Sequence, residues 1–132
     1  MRVWITKLFA PILQRNTLGN RGELLAARFL RKNGYKILLR NYHAAGAEID
    51  IVARQDDCLI FVEVKTRQSN KINEPYRQVN LHKQKNIARA ARAYLSHYKG
   101  FPPKARFDIV SIVWPEAGEP QIEHLANAFE AP

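Results

Sequence analysis

The chain has 132 residues, 46% of them hydrophobic and 25% charged, which is enough to bury a core and too apolar for a disordered segment. Its formal net charge of +9 points to a polyanionic partner, nucleic acid before an anionic membrane. The single cysteine, Cys58, excludes an intrachain disulfide and suits a reducing cytoplasm.

In chain order, the apolar residues of MRVWITKLFAPILQR come first, broken by Lys7 and Pro11. They fall short of membrane-spanning length and are not followed by a small-residue cleavage site, so neither stable membrane insertion nor a signal peptide is expected. Residues 1–16 are expected to form an N-terminal extension that packs on the domain, on a partner or on a membrane surface, with a single domain over 17–132.

A helix is predicted from about Asn20, because NRGELLAARFLRKNGY sets Leu24, Ala27 and Leu30 at helical spacing beside Leu25 and Phe29. Asn33-Gly34 is a stop signal, since glycine tolerates the left-handed turn that ends helices. YKILLRNY reads as a first strand. AEIDIVAR is a second, with Ile49 and Ile51 expected on one face and Glu48, Asp50 and Val52 on the other. QDD is a turn and CLIFVEVKTR a third strand, so tightly joined to the second that the two form an antiparallel hairpin. The polar stretch QSNKINEPYRQ is a loop, followed by a helix from Asn80 to His97 that carries Ile87, Ala91, Tyr94 and Leu95 on one side. ARFDIVSIVW is a fourth strand, stopped by Pro115; QIEHLANAFEAP reads as a short strand followed by a short helix. The order αβββαβ predicts an α/β fold, a mixed sheet flanked by helices.

Positive charge is concentrated. Between Lys65 and Arg92 eight basic residues face one acid, Glu74, giving +7 in 28 residues, as a phosphate-binding track requires. Arg67 and Arg77 bracket the polar loop and suit a nucleic-acid backbone. Lys83, Gln84 and Lys85 open the second helix, read first as an exposed face and are candidates to contact nucleic acid, with a place in the cleft for Lys83 and Gln84 as the alternative. The four histidines show no metal-ligand spacing and default to the surface; His43 and His82, which flank the acidic strands in chain order, are candidates to meet phosphate.

FVEVKTR sets Glu63 and Lys65 on one face of an otherwise apolar strand. The hairpin carries that strand back past Asp50, so Asp50 and Glu63 come within reach of one metal ion. Two close carboxylates repel, and a hard divalent ion such as Mg²⁺ or Mn²⁺ relieves the repulsion through oxygen ligands. The Val64 carbonyl is a further candidate ligand. Lys65 is placed to orient or deprotonate water, or to steady charge on phosphorus. Glu23, in the first helix, either adds a carboxylate or serves the helix N-terminus. A cross-strand ion pair is the plain alternative for Asp50, Glu63 and Lys65. Glu48 shares the Asp50 face and reads as solvated, with a supporting role behind the ligands as the alternative. Asp108 reads as structural, paired with Arg106 or Arg40. Tyr76, Phe101 and Trp114 read as packing, and Cys58 as an inert thiol.

GNRGELLAARFLRKNGYKILLRNY, GAEIDIVAR, LIFVEVKTR and ARFDIVSI, in that order, resemble the YraN-like family of uncharacterised bacterial proteins over roughly Gly19 to Phe129. That family resembles the restriction-endonuclease-like superfamily, which implies an αβββαβ core and a D…ExK metal site. Among its relatives, archaeal Holliday-junction resolvases are similar in the order of helix glutamate, strand aspartate and E-x-K. The resemblance places Glu23, Asp50, Glu63 and Lys65 at the four site positions. One departure is Ala47, where a second glycine often precedes Glu-Ile-Asp; it lies off the metal chemistry.

The resemblance implies a metal-dependent endonuclease acting on DNA, branched or structured DNA included, and working as a homodimer. The alternative is a nucleic-acid-binding module without hydrolysis of its own that serves a DNA-processing partner. A third is a protein-interaction or membrane-surface role carried by the N-terminal segment.

Overall fold

A computed structural model describes residues 18–69, 78–100 and 104–132. The expected N-terminal extension, most of the polar loop including Tyr76 and Arg77, and Phe101 lie outside the described residues.

Helix α1 spans Leu18–Lys32 and buries Ala26, Ala27 and Leu30 against the sheet, with Leu25 and Phe29 alongside. It ends where predicted. The Asn33 side-chain amide donates to the Phe29 carbonyl at 2.8 Å, and Gly34 turns the chain at φ 89°. Three strands follow, β1 (Lys36–Ala44), β2 (Ala47–Gln55) and β3 (Cys58–Gln68). Helix α2 (Leu81–Ser96) is capped by Asn80, whose side chain accepts from the Lys83 N–H. Strands β4 (Lys104–Trp114) and β5 (Gln121–Phe129) complete the chain.

The strands form one mixed sheet in the order β1-β2-β3-β4-β5. Every pair is antiparallel except β3–β4, which run parallel from Cys58 opposite Lys104 to Gln68 opposite Trp114, with α2 as the crossover. Both outer pairs carry a register shift, between Ile37 and Leu39 and between Phe107 and Ile109. The helices cover opposite faces. Ile51, Ile60, Val62, Val110 and Ile112 pack under α1, while Ile49, Val52, Phe61, Phe107 and Ile109 pack under α2. Burial of each such side chain contributes about 1.5–3 kcal/mol. Among the described residues no helix is long and apolar enough to cross a membrane.

Three expectations are corrected. The C-terminal stretch is one strand, not a strand and a helix: Gln121–Phe129 pairs with β4, and Leu125 and Phe129 join the α2-side core. A four-residue spacing puts two side chains on one face in either periodicity, so the pattern was ambiguous and sheet pairing decided it. Ile49 and Ile51 do not share a face; Ile49 packs under α2 and Ile51 under α1, so the alternation of β2 breaks at Asp50. His124 is not a surface residue. Its side chain is 13% exposed, and its Nε2 lies 2.7 Å from Asp108 Oδ2.

Asp108, with 0% exposure, is satisfied on all sides as a structural carboxylate. Arg106 Nε and Nη2 donate to it at 3.0 and 3.2 Å, and the Asn127 N–H at 2.9 Å. Burial alone would raise its pKa. The hydrogen bonds from His124, Arg106 and Asn127 outweigh burial and hold it below the ordinary carboxylate value. Trp114 packs in the α1-side core with the Arg21 guanidinium over its ring, and Cys58 is a free, half-buried thiol whose pKa burial raises.

Candidate metal centre

The site forms where β2 and β3 part. Their pairing runs from Gln55 opposite Cys58 to Ile51 opposite Val62 and stops. Asp50 and Glu63 come next in register, so each projects from the opening. On the neighbouring β1 the residue that faces Asp50 is Asn41, held at φ 53°. Asp50 turns its carboxylate across the gap, and the Val64 N–H, freed from the ladder, donates to Oδ2 at 2.8 Å.

Glycine brings Glu23 to the same place. Gly22 is buried in α1 against Thr66 of β3, and a Cβ there would sit 2.1 Å from the Thr66 Oγ1. Only a residue without a side chain allows α1 to lie this close to the strand. Glu23 follows, in the second turn of α1, so it does not serve the helix N-terminus, and the capping alternative falls away. One carboxylate oxygen each from Glu23, Glu48 and Asp50 lies within 4.8 Å of the others. The Asn41 amide nitrogen, oriented to donate, reaches Glu23 Oε2 at 2.9 Å and Glu48 Oε1 at 3.1 Å. His43 Nε2 lies 4.0 Å from Glu48 Oε1, at the exposed side.

Glu63 and Lys65 both face α2, as their spacing predicts. Glu63 is 4% exposed and its Oε1 takes the Lys83 ammonium at 2.7 Å. Lys65 Nζ donates to the Gln78 carbonyl, just ahead of α2. Gln84 Nε2 donates to the Val79 carbonyl at 2.8 Å, Lys85 is exposed and Arg67 is half-buried. His82 approaches Asn86 on its own helix at 3.4 Å.

The electrostatics follow from the crowding. Burial, then the Glu63 charge, pushes the Asp50 carboxyl up to about 8, against the pull of the Val64 N–H. Burial and then Glu48 raise Glu23, against Arg40 and the hydrogen bonds of Asn41 and Asp50. Half-burial pulls the Lys83 ammonium down, but Glu63, Asp50 and Glu48 together hold it above its ordinary value.

The structure therefore joins Asp50, Glu23 and the Val64 backbone at one opening, leaves Glu63 outside the three-carboxylate group though close enough for its charge to act on Asp50, and adds Glu48, which the sequence reading kept only as a supporting alternative, and Asn41, which it did not name. Glu48 was read as solvated; it belongs to the three-carboxylate group, and its only sequence signal is its position two residues before Asp50. Asn41 had none, because its role depends on a left-handed backbone that asparagine tolerates. The carboxylates supply hard oxygen donors at close quarters, and burial together with the Glu63 charge makes an ionised Asp50 costly unless a cation joins it. This donor set fits Mg²⁺ or Mn²⁺.

Comparison with known proteins bears on the whole of this region. A model of the uncharacterised protein family UPF0102 matches residues 22–112, from the buried glycine of α1 into β4. A "UPF0102 protein" of Geobacter metallireducens is 45% identical over 119 residues, covering 89% of this chain and 96% of the relative. Another of Syntrophomonas wolfei is 47% identical over 112 residues, covering 85% and 96%. A third, of Pelobacter propionicus, is 45% identical over 118 residues, covering 88% and 84%.

Proposed function

Since the chain belongs to the uncharacterised protein family UPF0102, whose name carries no activity, we propose its function from the site: a metal-dependent endonuclease that hydrolyses phosphodiester bonds in DNA, branched or structured DNA among its substrates. The observation that carries this is the gap between β2 and β3, where Asp50 lies beside Glu23 and Glu48 and in the field of the buried Glu63. A fold gains little from crowding three carboxylates together beside a fourth when only Lys83, on Glu63, answers their charge at close range.

Glu23, Glu48, Asp50 and Glu63 would hold Mg²⁺ or Mn²⁺, with the Val64 carbonyl, on the same strand edge as its N–H, as a neutral donor. Bound there, the ion supplies charge neutralisation at a phosphoryl oxygen and a more acidic water. Asn41 fixes the orientation of Glu23 and Glu48 through its two hydrogen bonds. Lys65, on the α2 face beside Glu63, places a positive charge next to the scissile phosphate and steadies charge that develops on its oxygens. Arg67, Arg77, Lys83, Gln84 and Lys85 contact the backbone of the nucleic acid and set its register over the site.

The test is cleavage of linear, single-stranded and branched DNAs with Mg²⁺ or Mn²⁺. Wild type should cut at least one, and Asp50→Ala and Glu63→Ala none; equal cutting by the variants rejects the site. A second function, DNA binding without hydrolysis in the service of a DNA-processing partner, draws on the exposed Lys83, Lys85, Arg89 and Arg92 of α2. It predicts tight, salt-sensitive binding and no cleavage by wild type under any of these conditions.

A further inference from the structure

Lys83 is at odds with its own helix. Its N–H is capped by Asn80, and the first turn of α2 contains no acid. A cation there opposes the helix dipole. Three residues after an asparagine cap, a glutamate or glutamine would bond back to the cap. The lysine makes no such bond; its ammonium lies 2.7 Å from Glu63 Oε1. The two partners differ in freedom. Glu63 is buried in the middle of β3, paired with Ile109 of β4, whereas Lys83 is half exposed and ends a flexible four-carbon stem. When the pair separates, Lys83 is the partner that moves.

We propose that Lys83 is a tethered counter-cation: in the free protein its ammonium occupies Glu63, and it releases Glu63 when the carboxylates take a divalent ion, turning outward to a nucleic-acid phosphate. This role rests on the metal-dependent nuclease function. Lys83 and the divalent ion then compete for one carboxylate, so the free protein holds metal weakly. A phosphate that draws Lys83 outward removes the competitor. By linkage the metal strengthens binding of the nucleic acid by the same factor. The protein would be charged with metal chiefly when substrate is present.

Calorimetric titration with Mn²⁺ of wild type, Lys83→Gln and Lys83→Arg tests the competition. Lys83→Gln should bind Mn²⁺ about fivefold or more tightly than wild type, the lower end of ordinary coupling between sites; Lys83→Arg, which keeps the charge, should stay close to wild type. Ca²⁺ should tighten binding of a short DNA duplex to wild type by a similar factor and leave Lys83→Gln unchanged. Reductive methylation of wild type, read by mass spectrometry, needs no variant: Lys83 should react slowly beside Lys85 without metal and catch up with it in Mn²⁺. Equal or weaker Mn²⁺ binding by Lys83→Gln, or Lys83 labelling indifferent to Mn²⁺, overturns the proposal and leaves the nuclease function standing. Absence of Mn²⁺ binding in wild type and both variants removes the two together.

Discussion

The Val64 N–H donates to the Asp50 carboxylate at 2.8 Å across the point where β2 and β3 cease to pair. An extended strand ordinarily gives that N–H to a neighbour's carbonyl. Here it goes to a side chain, which fixes Asp50 in the gap and turns it toward Glu23 and Glu48.

Asp50→Asn keeps an acceptor for Val64 and removes a charge that burial and Glu63 both oppose. The sign follows from the raised carboxyl: wild type loses stability as pH climbs from 3.8 toward about 8, and the variant does not. In chelator at pH 8.5, Asp50→Asn should be more stable than wild type by about 1–2 kcal/mol, in the range of active-site replacements that trade function for stability. The same variant should lose the rise in melting temperature that Mn²⁺ gives wild type. Thermal melts with and without Mn²⁺ check both.

Asp108 behaves in the opposite sense. Its folded pKa lies below 3.8, so its contribution is complete above that value and disappears as pH falls through the folded value. Asp108→Ala should cost about 3–5 kcal/mol at pH 7, the usual effect of breaking a buried charge pair. The loss should shrink below pH 3.8. Urea unfolding of both proteins from about pH 2.5 to about pH 7 measures it.

Gly22→Ala places a methyl group against Thr66 at a distance no carbon tolerates. Overpacking of this kind costs about 1–3 kcal/mol. Thr66→Ala in the same chain removes the Oγ1 and Cγ2 in conflict and should recover most of the loss. A Gly22→Ala protein that still binds Mn²⁺ as wild type would show that Glu23 is not needed in the metal's first contacts.

DNA binding should weaken with salt at a log–log slope of about −4 to −5, for roughly four to six phosphates neutralised. Lys85→Ala should reduce the slope by about 1 and weaken all sequences alike. Lys65→Ala should keep metal affinity and most DNA affinity while turnover falls by about 100-fold or more, as for loss of one group that stabilises charge in the transition state. Fluorescence anisotropy across a salt series, beside single-turnover cleavage, separates the two lysines.

The sequence displayed much of this fold because its signals were redundant. The α1 stripe agreed with the Asn33-Gly34 stop, and the two-residue turn at Asp56-Asp57 tied β2 to β3 in one register. What it hid was a break in periodicity. Counting by twos along β2 puts Ile49 with Ile51; the structure separates them, because the chain steps out of the ladder at Asp50. Glu48 was legible only as an alternative, on the Asp50 face, since its company with Glu23 depends on the left-handed Asn41. The Glu63–Lys83 pair was also out of sight: it joins a strand to a helix across the described chain's parallel crossover, and no local pattern encodes such a distance. Asp108 was legible as structural through Arg106, two residues away, but not through His124, which arrives from the next strand.

The register shifts near Ile37 and Phe107 fall in the two outermost described strand pairs, while the inner pairs carry no register shift where they are paired. An irregular border makes a poor template for strand addition, because a newcomer finds its hydrogen-bonding partners out of step. Both borders of the described sheet thus discourage a further strand from pairing alongside β1 or β5.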